Sequence, residues 1–198
     1  MHRQEILDGS VLTGLRSGSE AERRRAWTAL YEGSFEAVYR LVVNLGVSPD
    51  DVEDVVQKVF QVTVRRVDEI QHEDQTQAWL RGIAVREVMH YRRWHAVRRA
   101  KRWLLERSVS ESARQPATPE EQALANETRR QVRAVLARLR PKLRDVLVLL
   151  HETGGSVREV ARLLGIPVNT VRSRKRLARE QFIRLWSRRE ASASRETR

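Results

Sequence analysis

The segment from Gly154 to Arg189, GGSVREVARLLGIPVNTVRSRKRLAREQFIRLWSRR, constrains the fold of this chain more than any other part of its sequence. Ser156 and Glu159 have the spacing of a capping box, in which two side chains satisfy free backbone donors of a first helical turn. The tripeptide Gly-Ile-Pro at 165–167 then ends that helix and begins another. The sequence therefore predicts two helices joined by a tight turn, a helix-turn-helix.

The second helix of this pair is predicted to separate apolar from basic residues. Apolar residues at helical spacing face inward: Val171, Ala178, Phe182 and Leu185. The residues left for the outer face are mostly basic: Arg172, Ser173, Arg174, Arg176 and Arg179. A tight helix pair can also be plain scaffold, and a basic face can simply be solvated. Because the cap, the tight turn and the basic face coincide, the pattern favours a helix that enters a DNA groove.

The overall charge of the chain agrees with a polyanionic partner. It has 38 Lys and Arg against 26 Asp and Glu, a formal net charge of +12. No apolar run approaches the roughly 20 residues that span a bilayer, and the basic helices lack a wide apolar face, so membrane insertion is not expected. The start MHRQEILDGS lacks the apolar core of a signal peptide, and there are no cysteines for disulfides or thiolate metal sites. We therefore expect a cytoplasmic protein.

The N-terminal part of the sequence is predicted to be helical. Residues 1–22 carry scattered apolar positions, enough for a short helix, and their role stays open. From Ala21 to Leu45 the apolar residues follow a 3.6-residue period, which predicts a core-facing helix or a pair bent at residues 33–34. Ser-Pro-Asp-Asp at 48–51 supplies a cap, a first-position proline and acid, so the next helix is predicted to begin at Pro49.

The helix predicted from Pro49 is rich in valine, which alone would favour a strand. The spacing of its apolar positions favours a helix instead, with these residues toward the core: Val52, Val55, Val56, Val59, Phe60 and Val67. Its outer side would carry Asp50, Asp51, Glu53, Asp54, Gln57 and Lys58. The acidic stretch 68–77 is predicted to be a loop, and an amphipathic pattern resumes at Trp79.

A basic and aromatic stretch follows in the same predicted helix. Between Arg86 and Arg107, eight arginines and lysines occur with only two acids, interleaved with Tyr91, Trp94 and Trp103. Cations neutralise phosphates and aromatic rings stack on bases, so the mixture suits nucleic-acid binding. For any one of these aromatic residues, packing in a protein core is the more usual role.

A change of composition divides the chain in two. Residues 105–121 are rich in Ser, Ala, Glu, Gln and Pro and are predicted to be a flexible linker. Thr-Pro-Glu-Glu at 118–121 predicts that a helix restarts there, and the apolar stripes beyond it predict about four helices. The predicted fold class is all-α, with two small helical domains: an N-terminal extension 1–22, a helical domain 23–104, the linker, a four-helix domain with the helix-turn-helix 122–187, and a disordered tail 188–198.

The order of these motifs resembles that of bacterial RNA polymerase sigma factors of the extracytoplasmic-function (ECF) type. The stretch RPKLRDVLVLLHETGGSVREVARLLGIPVNTVRSRKRLARE at 140–180 resembles region four of the family, including GIPVNTVRSR at 165–174. SPDDVEDVVQKVF at 48–60 is similar to the region-two helix that docks on the clamp coiled coil of the polymerase. WLRGIAVREVMHYRR at 79–93 resembles the promoter-melting helix. The resemblance implies a specificity subunit of core polymerase with no catalysis and no cofactor of its own.

The resemblance also implies three sets of contact residues. At the minus-thirty-five element, the residues that would enter the major groove are Arg172, Ser173 and Arg176. The residues that would lie beside them or near phosphates are Asn169, Thr170, Arg174, Lys175, Leu177 and Arg179. The minus-ten or melting residues would be Trp79, Arg86, His90, Tyr91, Arg92, Arg93 and Trp94. The polymerase clamp would meet Asp50, Asp51, Glu53, Asp54 and Gln57. The polymerase flap and an opposing anti-sigma protein are further implied partners.

The chain departs from the usual pattern of the family at several positions. Lys175 stands where the family usually has an apolar residue and Leu177 where it usually has arginine. We therefore expect an altered minus-thirty-five preference, with Leu177 touching a thymine methyl group. The departures that bear on minus-ten recognition are Gly82, Val85, Arg86, His90 and the acidic stretch 68–77.

Three other classes of protein remain open from the sequence. One is a stand-alone helix-turn-helix regulator whose N-terminal domain dimerises or binds a partner. Another is an interaction protein that has the fold without initiating transcription. The third is a nuclease-like enzyme with a metal on the acids at 50–54. Successive acids in a first helical turn point apart around the axis, and no histidine completes a ligand set, so we expect neither catalytic nor metal-binding residues.

Overall fold

The structure is a computed structural model that describes residues 9–70, 75–103 and 121–196 of the chain. Every regular element in these three ranges is helical, so the prediction of an all-α fold is confirmed. The chain separates into two compact units, one built from the helices before residue 104 and one from the helices after residue 120. Almost all of the predicted linker 105–121 lies outside the described ranges, so the domain boundaries stay predictions.

The described residues of the first unit form four α-helices: α1, Gly9–Ser17; α2, Glu20–Asn44; α3, Val52–Arg66; and α4, Thr76–Trp103. The apolar face predicted for α3 is buried from Val52 to Phe60, and α3 packs on α4. Burial of this face outweighs the strand preference of valine. α2 is one continuous helix, with Ser34 fully buried, so the bend considered at 33–34 does not interrupt it.

The N-terminal extension has a structural role that the sequence left open. Val11 of α1 joins a buried cluster with three residues of α2 and α4: Ala26, Leu30 and Leu80. The adjacent Leu12 joins a second cluster with Val67 and Ile70. Full burial of such side chains contributes roughly 1.5–3 kcal/mol each. Val11 and Leu12 therefore anchor α1 to the core of the first unit, and the partly buried Leu15 packs against both clusters.

The entry into α3 differs from the prediction. Pro49–Asp51 forms one turn of 3-10 helix, α3 begins at Val52, and Ser48 makes no side-chain capping hydrogen bond. The carbonyl of Ser48 instead accepts the N–H of Asp51 at 2.9 Å. The tighter turn satisfies this amide through the backbone, so the predicted hydroxyl cap is not needed.

The acidic stretch after α3 is partly ordered by its own charges. Val67–Glu69 forms a second 3-10 turn, and the following Ile70 is buried. Two guanidinium nitrogens of Arg66, Nε and Nη2, donate to the carboxylate oxygens of Glu69 at 2.7 and 2.6 Å. This pairing lowers the pKa of Glu69. The predicted loop therefore begins as a paired turn, and its residues 71–74 lie outside the described part of the chain.

A capping box that sequence reasoning missed begins α2. The backbone N–H and the hydroxyl of Ser19 both donate to Glu22 Oε2 at 2.7 Å. The N–H of Glu22 lies 3.4 Å from Ser19 Oγ and completes the box. The side-chain bond from Ser19, followed by the backbone bond, lowers the pKa of the Glu22 carboxyl. The Ser-x-x-Glu spacing was the signal that could have located this helix start.

The cap at Glu22 should make the first turn of α2 sensitive to acid. A pKa that is lower in the folded state stabilises the fold fully above the ordinary glutamate pKa of about 4.3, and this contribution is lost as pH falls through the lowered value. Ser19→Ala should return the Glu22 pKa toward its ordinary value in a carboxyl-carbon NMR titration. Ser17→Ala is the matched control, because the Ser17 hydroxyl donates to the Thr13 carbonyl instead. An unchanged Glu22 pKa in Ser19→Ala would contradict the assignment.

Four α-helices also form in the part of the second unit that the structure describes: α5, Glu121–Arg138; α6, Pro141–Glu152; α7, Val157–Leu164; and α8, Val168–Glu196. α8 packs against each of the other three. The core residues come from all four helices: Val135, Leu136, Val146, Leu149, Val160, Val171 and Ala178. The predicted four-helix arrangement ending in a helix-turn-helix is therefore present.

The C-terminal segment corrects one prediction. The tail 188–198 was expected to be disordered, yet α8 continues as helix to Glu196. Alanine, glutamate and arginine are strong helix formers, and no glycine or proline interrupts the segment from Arg188 to Glu196. Helix propagation from a packed core needs only one further bond per residue, which favours this extension.

Candidate nucleic-acid interface

Backbone and cap hydrogen bonds hold the turn between α7 and α8. The hydroxyl oxygen of Ser156 accepts the N–H of Glu159 at 3.3 Å, so the predicted cap of α7 is formed. Gly165 ends α7 with φ of 62°, a left-handed conformation that glycine adopts without strain. The N–H of Ile166 then donates to the carbonyl of Ala161 at 3.1 Å. Gly165 and Ile166 therefore form the tight turn that the sequence predicts between the two helices.

Pro167 begins the second helix of the pair. Its carbonyl accepts the N–H groups of Thr170 at 2.9 Å and Val171 at 3.2 Å. Val160 of α7 and Val171 of α8 are both fully buried. A short turn and a shared core therefore hold the two helices together, and these contacts set the direction in which the outer face of α8 points.

The outer face of α8 presents most of the residues expected to contact DNA. Thr170 and Arg174 are half-buried, and the other seven are exposed: Asn169, Arg172, Ser173, Lys175, Arg176, Leu177 and Arg179. Leu177 is an apolar side chain with 44% of its surface exposed in this basic face. Such a residue does not stabilise the core, and an apolar contact such as a thymine methyl group would cover it.

Hydrogen bonds within α8 restrain the longest of these side chains. Arg172 Nη1 donates to Asn169 Oδ1 at 3.0 Å, which holds the guanidinium toward the N-terminal end of the helix. The hydroxyl of Ser173 donates to the carbonyl of Asn169 at 3.0 Å. Arg176 Nη1 pairs with Glu180 Oε1 at 3.0 Å, and both side chains are exposed. A DNA contact by Arg176 would have to compete with this weak surface ion pair.

A second basic surface lies on α4. Arg86, His90, Arg93 and Trp94 are exposed and recur at helical spacing, so they share one side of the helix. Trp94 has 49% of its surface exposed and contacts the His95 ring edge-on, with centroids 4.9 Å apart. Tyr91 and Arg92 are half-buried, and the Tyr91 hydroxyl donates to Asp51 Oδ2 at 2.8 Å. Some of the melting residues implied by the resemblance are therefore exposed, whereas Tyr91 is half-buried and hydrogen-bonded within the first unit.

Trp79 is separated from the exposed part of this surface. Its side chain is half-buried and packs against both apolar clusters that hold α1. The pKa of Glu69 is lowered first by Arg66 and also by a hydrogen bond from the Trp79 side chain. Core packing, the usual role of a tryptophan, therefore accounts for much of Trp79. Val85, one of the departures from the family pattern, is fully buried in α4.

The acids at the start of α3 form a row that is mostly open to solvent. Asp50, Glu53, Asp54 and Gln57 are exposed, while Asp51 is half-buried. Carboxylates near a helix N-terminus are favoured by the helix dipole, so the row is stable without a bound cation. An exposed acidic row of this kind can pair with a basic surface on another protein.

An aromatic groove borders the acidic row and was not selected from the sequence. Tyr31, Phe35 and Tyr39 follow one another at four-residue intervals along α2, and the Tyr31 ring centroid lies 4.7 Å from that of Phe60 on α3. Tyr31, Tyr39 and Val64 keep 40%, 39% and 52% of their surfaces exposed. The lining residues are Trp27, Tyr31, Phe35, Tyr39, Glu53, Val56, Gln57, Phe60, Gln61 and Val64. The four-residue aromatic period was the available signal.

The described part of the chain contains neither a candidate metal site nor a candidate membrane-spanning helix. Residues 9–70, 75–103 and 121–196 contain no group of three or more histidines, cysteines and carboxylates that could hold a metal ion. Across the same residues, none of the helices is long and apolar enough to cross a membrane.

Comparison with known proteins identifies both sequence relatives and a similar fold. The family described as sigma-70, region 4, matches residues 129–182, which include α6, α7 and the first half of α8. The RNA polymerase sigma factor HrpL of Pseudomonas syringae pv. syringae is 31% identical over 134 residues, covering 67% of this chain and 72% of HrpL. The ECF RNA polymerase sigma-E factor of Haemophilus influenzae is 31% identical over 141 residues, covering 69% of this chain and 75% of that protein.

A solved structure extends the likeness over both units. The sigma factor RpoE of Bartonella quintana, determined in complex with the anti-sigma factor NepR, is 20% identical and has a TM-score of 0.62. The match covers 82% of this chain and 98% of that chain. At this identity the likeness is one of fold.

Proposed function

Because this chain belongs to the RNA polymerase sigma factors of the ECF type, we propose which of its surfaces perform each step of initiation. A sigma factor of this type binds core RNA polymerase and directs promoter recognition, melting and transcription initiation. The family relatives favour this function over a stand-alone helix-turn-helix regulator. The observation that supports the residue assignments is the exposed, arginine-rich face of α8, the helix that follows α7 after a tight turn.

The minus-thirty-five element is proposed to bind along the outer face of α8. Arg172, Ser173 and Arg176 would enter the major groove, where arginine donates two hydrogen bonds to a guanine. Support for Arg172 comes from its bond to Asn169, because a guanidinium already held at the helix N-terminus loses less freedom on binding. The phosphate contacts would come from residues around this set: Asn169, Thr170, Arg174, Lys175 and Arg179.

Leu177 is proposed to determine part of the promoter preference. Its exposed side chain would contact a thymine methyl group, whereas arginine, the usual residue of the family, would contact phosphate or guanine. Leu177→Arg should therefore change the ranking of minus-thirty-five sequences in a transcription assay on a promoter library. The expected change is about fivefold or more at one base position, since one good contact discriminates by about 1–3 kcal/mol. An identical ranking for both proteins would contradict this role.

The minus-ten element is proposed to meet the exposed side of α4. Arg86 and Arg93 would lie near phosphates, and the exposed side chain of Trp94 would stack on an unpaired base. Stacking on an aromatic residue contributes about 1–3 kcal/mol per base. His90, Tyr91, Arg92 and Trp79 complete the set implied by the family resemblance, with Trp79 more engaged in the core.

Core polymerase is proposed to bind at the start of α3. The exposed carboxylates of Asp50, Glu53 and Asp54, with the amide of Gln57, would pair with basic residues of the clamp coiled coil. The neighbouring aromatic groove would supply apolar contact area to the same interface, since interfaces combine a polar rim with aromatic anchors. The polymerase flap is proposed as a second contact through the unit that contains α8.

Three broader properties are proposed from family membership. The chain would supply specificity and no catalysis of its own, since initiation chemistry belongs to the core enzyme. Its place of action would be the cytoplasm, where core polymerase works. An anti-sigma protein is proposed as its regulator, and the support for it is the family resemblance.

Reconstituted transcription tests the proposed function directly. The purified full-length chain, added to core RNA polymerase of its host, should bind the core and start transcripts at defined sites on genomic DNA. Mapping the start sites would identify the shared promoter elements. Failure to bind core polymerase, together with tight binding to duplex DNA by the chain alone, would overturn the proposal in favour of a stand-alone regulator.

A further inference from the structure

Asp51 is distinguished from its neighbours in the acidic row by its contacts. The side chain keeps 34% of its surface exposed, and its Oδ2 accepts the hydroxyl of Tyr91 at 2.8 Å. His95 Nε2 lies 3.8 Å from the same oxygen. Both partners belong to α4, so one carboxylate at the start of α3 is bonded to the helix that carries the basic and aromatic surface.

The Tyr91 hydroxyl is held from two sides. It donates to Asp51, and its oxygen lies 3.4 Å from the backbone N–H of Ser48, which donates to it. Tyr91 also packs against the next turn of α4, where its ring centroid lies 4.1 Å from that of His95. The bonds to the hydroxyl and the ring contact together fix the rotation of this part of α4.

This part of α4 also presents the exposed groups proposed to meet DNA. Trp94 contacts His95 edge-on, with ring centroids 4.9 Å apart, and Arg93 lies beside it on the exposed side. A small rotation of α4 at Tyr91 would move both side chains, because residues on one helix rotate together. The orientation of the proposed stacking surface therefore depends on contacts made by Asp51.

We propose that Asp51 is a positioning residue for promoter melting, which holds the Tyr91 hydroxyl so that Trp94 and Arg93 meet the opening strands. This inference rests on the proposed function of α4. A hydrogen bond to an ionised carboxylate is stronger than one between neutral groups. An oxygen that already accepts such a bond also has less capacity for a basic residue of the polymerase. Asp51 is thereby assigned a different role from the exposed Asp54.

The test compares promoter opening on two templates with holoenzyme assembled from core polymerase and the full-length chain. One template is a fully paired promoter fragment obtained from start-site mapping, and the other carries unpaired bases across the minus-ten element. On the paired template, permanganate reactivity of newly unpaired thymines gives the rate of opening; on the premelted template, where thymines react before holoenzyme binds, the formation of competitor-resistant complexes gives the rate of capture. Asp51→Asn should open the paired template about tenfold more slowly, equivalent to about 1.4 kcal/mol in the barrier. On the premelted template it should stay within about twofold of the wild type.

Two further variants separate positioning from loss of the fold. Tyr91→Phe keeps the packed ring and removes only the hydroxyl, so it should reproduce the template-dependent defect. The double variant should be no slower than the slower single variant, because Asp51→Asn leaves only a neutral acceptor in the bond whose donor Tyr91→Phe removes. Asp54→Asn is the matched control: it should weaken core binding and leave the ratio between the two templates unchanged.

Each remaining outcome contradicts the inference. Equal rates for wild type and Tyr91→Phe on the paired template would overturn it, as would defects of the same size on both templates. A loss of core affinity in Asp51→Asn as large as that in Asp54→Asn would assign Asp51 to the polymerase interface instead. If the wild-type chain assembles no active holoenzyme, the proposed function fails, and the inference fails with it. The experiment with the wild-type chain therefore distinguishes failure of the proposed function from failure of the inference about Asp51.

Discussion

Asp54→Lys is expected to weaken binding of the chain to core RNA polymerase by about 30-fold, or about 2 kcal/mol. Asp54 is exposed in the first turn of α3, so the substitution removes a carboxylate and adds a cation where a basic surface of the polymerase is proposed to dock. Like charges brought together at an interface cost more than the loss of one attractive pair. A competition assay with labelled wild-type chain measures the change.

The size of this effect should depend on salt, because it is electrostatic. The difference between Asp54→Lys and wild type should shrink as ionic strength rises and the Debye length falls from about 10 Å at 0.1 M toward 3 Å at 1 M. Glu20→Lys, which makes the same change at an exposed site at the start of α2, is the control. Equal losses of core affinity in both variants would show that net charge, and not the row at the start of α3, controls binding.

Arg172→Ala is expected to reduce discrimination between minus-thirty-five sequences by about 5- to 150-fold, corresponding to about 1–3 kcal/mol for one bidentate contact with guanine. Arg179→Ala, farther along the same helix face, should weaken binding to all sequences by a similar factor. It should also reduce the slope of log affinity against log salt by about 1, as expected for one lost phosphate contact.

The two arginine variants control for each other, since both remove one positive charge from the exposed face of α8. Binding of the full-length holoenzyme to a panel of single-base promoter variants, at two or more salt concentrations, measures both effects. If Arg172→Ala weakened every sequence equally, Arg172 would be a phosphate contact, and the division of roles along α8 would be wrong.

Local patterns explain why much of the fold could be predicted. The cap at Ser156 and the left-handed Gly165 depend on neighbouring residues alone, and both occur in the structure as the sequence indicates. The buried face of α3 was readable because the spacing of its valines repeats over several turns. The residue roles proposed for DNA and polymerase contacts remain predictions that follow from the family resemblance.

Features that join distant parts of the chain were not predictable in the same way. The bond between Asp51 and Tyr91 spans 40 positions, and no pattern within either segment indicates it. The burial of Val11 likewise depends on α2 and α4, which sequence spacing does not bring together. At Ser48 the local pattern gave a wrong prediction. The backbone carbonyl of Ser48 accepts the Asp51 N–H in a 3-10 turn, so the Ser48 hydroxyl makes no capping bond.

Because α8 is one continuous helix, the angular position of its proposed DNA-contacting residues is tied to that of its buried residues. Val171, Ala178 and Leu185 are buried at intervals of seven residues along one helix, and the residues proposed to read DNA project from the same helix. Each residue advances the helix by about 100°, so a one-residue insertion after Ala178 would turn the later anchor, Leu185, away from the core that Val171 occupies. Base preference can therefore diverge through substitutions on the outer face, whereas changes of length within α8 would put its two ends out of register.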